Sequence, residues 1–202
     1  MIVTRLEQGN GKKYRVYADE EFLFALYVNE LRQFHIQEGR EISSDVIAYI
    51  LDTIIYKRAK ERALFLLEKR PYSVHMLKRK LKDNEYPVNV IDKVMTFLEK
   101  YHYLDDKEYV RMYVESYSGQ KSKKQLVYDL YRKGISKAIV EEFFEVNDYS
   151  EQNCFEKQFQ RYVRGKNPHD YRDRQKIFRY FYNKGFSTAL IERYIKEELL
   201  QV

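Results

Sequence analysis

Residues 125–144 match residues 176–195 at an offset of 51, and this self-similarity constrains the fold more than any other feature of the chain. Six identities fall in the pair: Tyr131 with Tyr182, Lys133 with Lys184, Gly134 with Gly185, Ser136 with Ser187, Ala138 with Ala189 and Glu141 with Glu192. Apolar positions agree too, among them Leu126 with Ile177, Leu130 with Phe181 and Val140 with Ile191. The spacing of four between Leu126 and Leu130 puts both on one face of a helix, and the 3, 4 spacing after the turn does the same for a second helix. Gly134 and Gly185 suit the left-handed residue that closes the first helix, and Ser136 and Ser187 suit the cap of the next. A weaker copy lies 49 residues earlier, with Leu77, Leu81, Val90, Ile91 and Val94 on the core positions. There Glu85 stands in place of the glycine, Asn84 is expected to take the left-handed turn, and Pro87 starts the following helix.

A further helix precedes each copy, at residues 57–70, 105–117 and 150–164, so the unit is three helices of about 50 residues. Units this small bury too little apolar area alone, which is why such repeats share a core with their neighbours. The expected fold class is mainly α: tandem three-helix repeats forming an elongated, curved array, with a small N-terminal β-hairpin or three-stranded sheet. The expected domains are residues 1–56, 57–104, 105–149 and 150–202. The sheet rests on alternation in the N-terminal segment, where Ile2, Thr4 and Leu6 alternate with Val3, Arg5 and Glu7, and Tyr14, Val16 and Ala18 with Lys13, Arg15 and Tyr17. Gly9-Asn10-Gly11 supplies the turn between these strands, Asp19-Glu20-Glu21 a second turn, and residues 22–26 a third strand. A short helix at residues 27–34, a turn at Gly39 and a helix capped by Ser43 or Ser44 follow.

Charge divides the chain. Residues 1–56 hold 6 basic and 9 acidic side chains, whereas residues 57–202 hold 31 and 22, so the net charge of +6 belongs to the repeats. Such a balance favours acidic partners, nucleic acid among them. One cysteine, Cys154, leaves no internal disulfide and fits a reducing cytoplasm. Arg5 and Glu7 interrupt the stretch where an export signal would be apolar, and the most hydrophobic window, residues 46–56, is too short for a membrane span and contains Asp52. No membrane association is expected.

Catalytic patterns are missing. His35, His75, His102 and His169 match no metal-ligand spacing, and Asp105-Asp106 stands where acids favour a helix N-terminus. There is no phosphate loop, serine elbow or paired cysteine and histidine. The reading is therefore a binding protein without catalytic residues, metal, cofactor or small-molecule substrate. Helix, glycine turn, helix is also the outline of a module that reads DNA, but its second helix would carry Glu141, Glu142 and Glu145, or Glu192, Glu197 and Glu198, against the phosphates. The cations sit on the helix before the turn and the loop leading into it, which suits contact with a backbone more than base readout.

Three segments carry a family resemblance: ALFLLEKRPYSVHMLKRKLK at residues 63–82, YLDDKEYVRMYV at 103–114, and GQKSKKQLVYDLYRKGIS at 119–136. Their order, over residues 57–202, resembles the RecX family of bacterial recombinase regulators, whose longer members have an N-terminal extension like the strands here. Glu85 departs from that pattern. The resemblance implies a regulator that binds the RecA recombinase filament and inhibits its assembly, ATPase and strand exchange, acting as a cytoplasmic monomer in DNA repair and the SOS response, with DNA backbone contact within the filament left open. The alternative is a helix-turn-helix-type protein acting directly on DNA. In either reading the candidate binding residues are Lys78, Arg79, Lys82, Lys121, Lys123, Lys124, Arg132, Arg172, Arg174, Lys176 and Arg179.

Overall fold

The computed structural model describes residues 1–9 and 11–200, in two units, one covering Met1–Asp105 and the other beginning at Asp106. Asn10, expected in the first turn, lies outside the described residues. In the first unit β1 (Val3–Gln8), β2 (Lys13–Ala18) and β3 (Glu21–Tyr27) form an antiparallel sheet in that order. Val16 and Ala18 of β2 and Phe24 and Leu26 of β3 are buried, and in β3 the alternation is blurred by Ala25, also buried, and by a register shift that leaves Leu23 unpaired with β2. Alternation breaks in β1: Ile2 is exposed and Val3 buried, because a bulge between Val3 and Arg5 adds a residue and carries the inward face from Val3 to Leu6.

The second hairpin turn is Asp19-Glu20, both at positive φ (48° and 69°), while Glu21 already pairs with Ala18. Asp19 uses its side chain there, its carboxylate accepting the Ile2 N–H at 3.0 Å. Glu20 donates its backbone N–H to Thr4 Oγ1 at 3.4 Å, but its side chain bonds no described residue, so Glu20→Gly is expected to stabilise the protein by about 0.5–1 kcal/mol, read as a rise in thermal midpoint. A fall would show that the left-handed turn carries no strain.

After β3 comes α1 (Val28–Gln33), whose Glu30 carboxylate accepts the Tyr27 N–H at 2.8 Å and pairs with the Arg58 guanidinium. Ser43 then caps α2 (Ser44–Tyr49), its Oγ accepting the Val46 N–H at 3.3 Å. With no glycine or proline to stop it, α2 runs through a π-helical stretch, Ile50–Ile55, into α3 (Tyr56–Lys69). The wider turn brings Ile50 and Ile55, five residues apart, into the same core. Against α3 pack α4 (Val74–Asp83) and α5 (Val88–Lys100), which bury Leu77 and Leu81, and Val90, Ile91, Val94, Met95 and Leu98.

The second unit consists of α6 (Asp106–Tyr117), α7 (Lys123–Arg132), α8 (Lys137–Val146), α9 (Gln152–Val163), α10 (Tyr171–Asn183) and α11 (Thr188–Leu199). Serine side chains at residues 73, 122, 136 and 187 accept the backbone N–H three residues on and start α4, α7, α8 and α11. The turn between the last two helices of each repeat closes the same way three times. A left-handed residue follows the helix, and the next residue sends its N–H back five positions and buries its side chain: Tyr86 to Leu81, Ile135 to Leu130, Phe186 to Phe181. Gly134 and Gly185 take the left-handed place at φ 79° and 81°, as the repeat predicts. In the first copy it is Glu85 itself, at φ 64°, and not Asn84, whose φ is −94°. Tertiary contact explains the exception, since the Glu85 carboxylate accepts the Arg15 Nε–H at 2.6 Å and so ties this turn to β2.

Candidate partner-binding surface

The eleven candidate cations divide by what their side chains already touch. On α4, Lys78 pairs with Asp92 of α5 at 3.0 Å, while Arg79 and Lys82 are exposed and pair with no described carboxylate. The buried pair Leu77 and Leu81 faces the other way, so helical periodicity alone sends Arg79 and Lys82 outward.

The second cluster is structural to a degree that the sequence did not disclose. Lys121 Nζ donates to Asp129 at 2.6 Å and to the Tyr113 hydroxyl at 2.9 Å, and lies 4.3 Å from the centre of the Tyr117 ring. Burial works to lower the Lys121 pKa, but the bonds to Asp129 and Tyr113 outweigh it and raise it; Asp129, which burial would push up, is held low by the same lysine. The Lys123 backbone N–H donates to Glu151 at 2.9 Å and its ammonium lies over Phe144. Lys124 packs its stem against Gly185, where an added Cβ would fall 2.9 Å from Lys124 Cβ. Beside it, the buried Ser122 hydroxyl donates to the Lys184 carbonyl at 2.6 Å, and Tyr149 donates to the Ser118 and Lys121 carbonyls at 3.2 and 3.0 Å. Reversing Lys121, Lys123 and Lys124 would therefore strike the joint between α7 and the α10–α11 turn as well as a surface. Lys121 is the member of this group whose charge is paired within the fold; Arg132, exposed beside Tyr128, faces outward without an ion pair to a described residue and, unlike Lys123 and Lys124, takes no part in the joint.

On α10 the spacing of four and three places Arg172, Lys176 and Arg179 along one edge of an open cleft of about 460 Å³. Lys176 shares its charge with Asp173 at 3.1 Å; Arg172 and Arg179 pair with no described carboxylate. Arg174 points elsewhere and donates to the Pro168 and His169 carbonyls, closing the loop before the helix. Sequence reasoning missed Lys157 and Arg161 of α9, which with Lys184 line a second cleft of about 490 Å³. Their spacing of four was the available signal, obscured because they do not form a run. Cys154 is buried, and burial raises its thiol pKa, so it offers no accessible thiolate. Among the described residues no cluster of histidine, cysteine or carboxylate groups is arranged to hold a metal, and no helix is long and apolar enough to cross a membrane.

Tandem three-helix domains with cations on their exposed faces define a helical-repeat protein. The chain belongs to the RecX family: models of the first, second and third three-helix domains of RecX match residues 59–98, 105–142 and 150–195. It is similar to "Regulatory protein RecX" of Caldanaerobacter subterraneus subsp. tengcongensis, 29% identical over 96% of this chain and 98% of the relative, and of Clostridioides difficile, 29% identical over 98% and 96%. The same fold occurs in a crystal structure of a regulatory protein RecX, with a TM-score of 0.66 at 23% identity over 97% of this chain and 98% of that one. RecX from Lactobacillus salivarius has a TM-score of 0.64 at 22% identity over 73% and 98%. The chain is thus a RecX-type regulator.

Proposed function

We propose that this protein binds the RecA recombinase filament and restrains its assembly, ATP hydrolysis and strand exchange. The supporting observation is the run of three RecX three-helix domains through residues 59–195, each with outward cations that no described carboxylate neutralises: Arg79 and Lys82, Arg132, then Arg172 and Arg179. A filament repeats its surface, and several modest contacts on one chain then act together through effective concentration. Acidic surface on the recombinase, or DNA held within the filament, supplies the opposite charge. In this reading the protein acts as a monomer in the cytoplasm, without cofactor or small-molecule substrate, in DNA repair and the SOS response.

Co-sedimentation tests it. The wild-type chain is expected to pellet with cognate recombinase filaments assembled on single-stranded DNA, and Arg79→Glu with Lys82→Glu to weaken retention about tenfold, since opposed charges at a contact cost both encounter and residence. The thermal midpoint should not move, because neither side chain is engaged in the fold. Equal retention of the double variant would remove α4 from the surface; a wild-type chain left wholly in the supernatant would contradict the reading itself.

A further inference from the structure

The two clefts on α9 and α10 meet at a tyrosine ridge. Tyr162 and Tyr180 stack with centroids 3.8 Å apart and planes within 7°, and both tyrosines line both clefts. Ammonium groups fix the pair, Lys166 Nζ at 3.7 Å from the centre of the Tyr162 ring and Lys184 Nζ at 4.7 Å from that of Tyr180. Lys157, Arg161 and Lys184 line one side of the ridge and Arg172, Lys176 and Arg179 the other, and no carboxylate lines either cleft. The remaining lining is tyrosine, amide and one glycine. Tyr171 stands at the end of the second cleft, 65% exposed, its hydroxyl held by Gln175 at 2.5 Å.

We infer that this ridge and its two clefts form a binding track for single-stranded nucleic acid, with the cations following the phosphates and Tyr171 offering its open ring to a base. A protein partner would leave a different imprint, an apolar centre rimmed by charges of both signs. Six lining cations, of which only Lys176 pairs with a described acid, interleaved with aromatic rings and amides, match a strand that presents one charge per nucleotide and a flat face beside it. Because Tyr162 and Tyr180 are already stacked on each other, the ridge serves as a divider and stacking falls to Tyr171. Duplex DNA, whose bases are internal, gains the charge contacts but not the stack. Contact between this track and a single strand needs no recombinase.

Fluorescence anisotropy of the full chain with a labelled oligothymidylate of about 20 nucleotides tests it, with no recombinase present. Binding should weaken with salt, with a slope of log affinity against log salt of about −3, as about four released cations predict for a single strand. Arg172→Glu with Arg179→Glu should lower affinity more than tenfold and flatten that slope. Arg172→Gln with Arg179→Gln, which introduces no new charge, should lower it less but in the same direction and guards against a folding artefact. Tyr171→Ala should weaken the oligonucleotide about fivefold or more and leave a duplex of equal length unchanged. Absence of salt-sensitive binding, wild-type affinity in both arginine variants, equal loss of duplex and single strand in Tyr171→Ala, or displacement by polyglutamate at the same charge concentration as by oligothymidylate would each overturn the assignment. Any of these failures would leave filament co-sedimentation untouched, so the two readings fail separately.

Discussion

Phe155→Ala is expected to destabilise the protein by about 3–5 kcal/mol, more than any change at the turns between helices. Phe155 is fully buried where α9, α10 and α11 meet, with ring centroids 4.8 Å from Phe181, 5.0 Å from Phe186 and Tyr194, and 5.5 Å from Phe159. Alanine removes the whole ring from the middle of that cluster, so both the transfer free energy and the cavity term are lost, and four edge or face contacts between rings go with it. The neighbours cannot close the gap cheaply, because Phe159 and Phe181 are themselves packed against each other and against Tyr194 or Tyr162. Guanidinium unfolding followed by circular dichroism measures it. A loss under about 1 kcal/mol would mean that this cluster is not the core of the third domain.

Gly185→Val is expected to cost about 2–4 kcal/mol, and Gly134→Val at least about 1 from its left-handed backbone, measured by the same unfolding experiment. Both glycines hold a left-handed backbone that a β-branched residue enters only with strain. Gly185 carries an additional constraint: the Cβ of any other residue would stand 2.9 Å from Lys124 Cβ and 3.1 Å from its Cδ, at the joint where Ser122 donates to the Lys184 carbonyl. Valine there must push α7 away from the α10–α11 turn as well as strain its own backbone. A loss at Gly185 no larger than the backbone strain of about 1–2 kcal/mol would show that the contact with Lys124 contributes nothing; no loss at either position would mean that the turns do not depend on a left-handed glycine.

What the sequence disclosed and what it withheld follow from the range of the forces involved. Leu126 with Leu130, Ile177 with Phe181, the two glycines and the capping serines are read within a turn or two of helix, where period and backbone geometry decide the outcome locally. Glu85 escapes such a reading because its left-handed backbone is compensated by Arg15, 70 residues away. The bulge in β1 and the π-helical stretch at Ile50–Ile55 likewise serve a core assembled from distant segments, and no local pattern marks them. The surface is less legible than the fold. Lysines at 121–124 look like an exposed patch, yet one is bonded to Asp129 and Tyr113 and another packs on Gly185, whereas Lys157 and Arg161 gain meaning only when α9 lies beside α10. Net charge counts cations; only packing says which of them remain free to meet a partner.

If three tandem RecX domains make this chain a restraint on a recombinase filament, the restraint must show in the filament's own chemistry. The decisive quantity is steady-state ATP turnover by the cognate recombinase on single-stranded DNA, followed as this protein is titrated in below the recombinase concentration. Turnover is expected to fall with added protein and to recover when Arg79→Glu with Lys82→Glu replaces the wild type. Turnover that stays constant up to an equimolar amount of wild-type protein would contradict the proposed restraint.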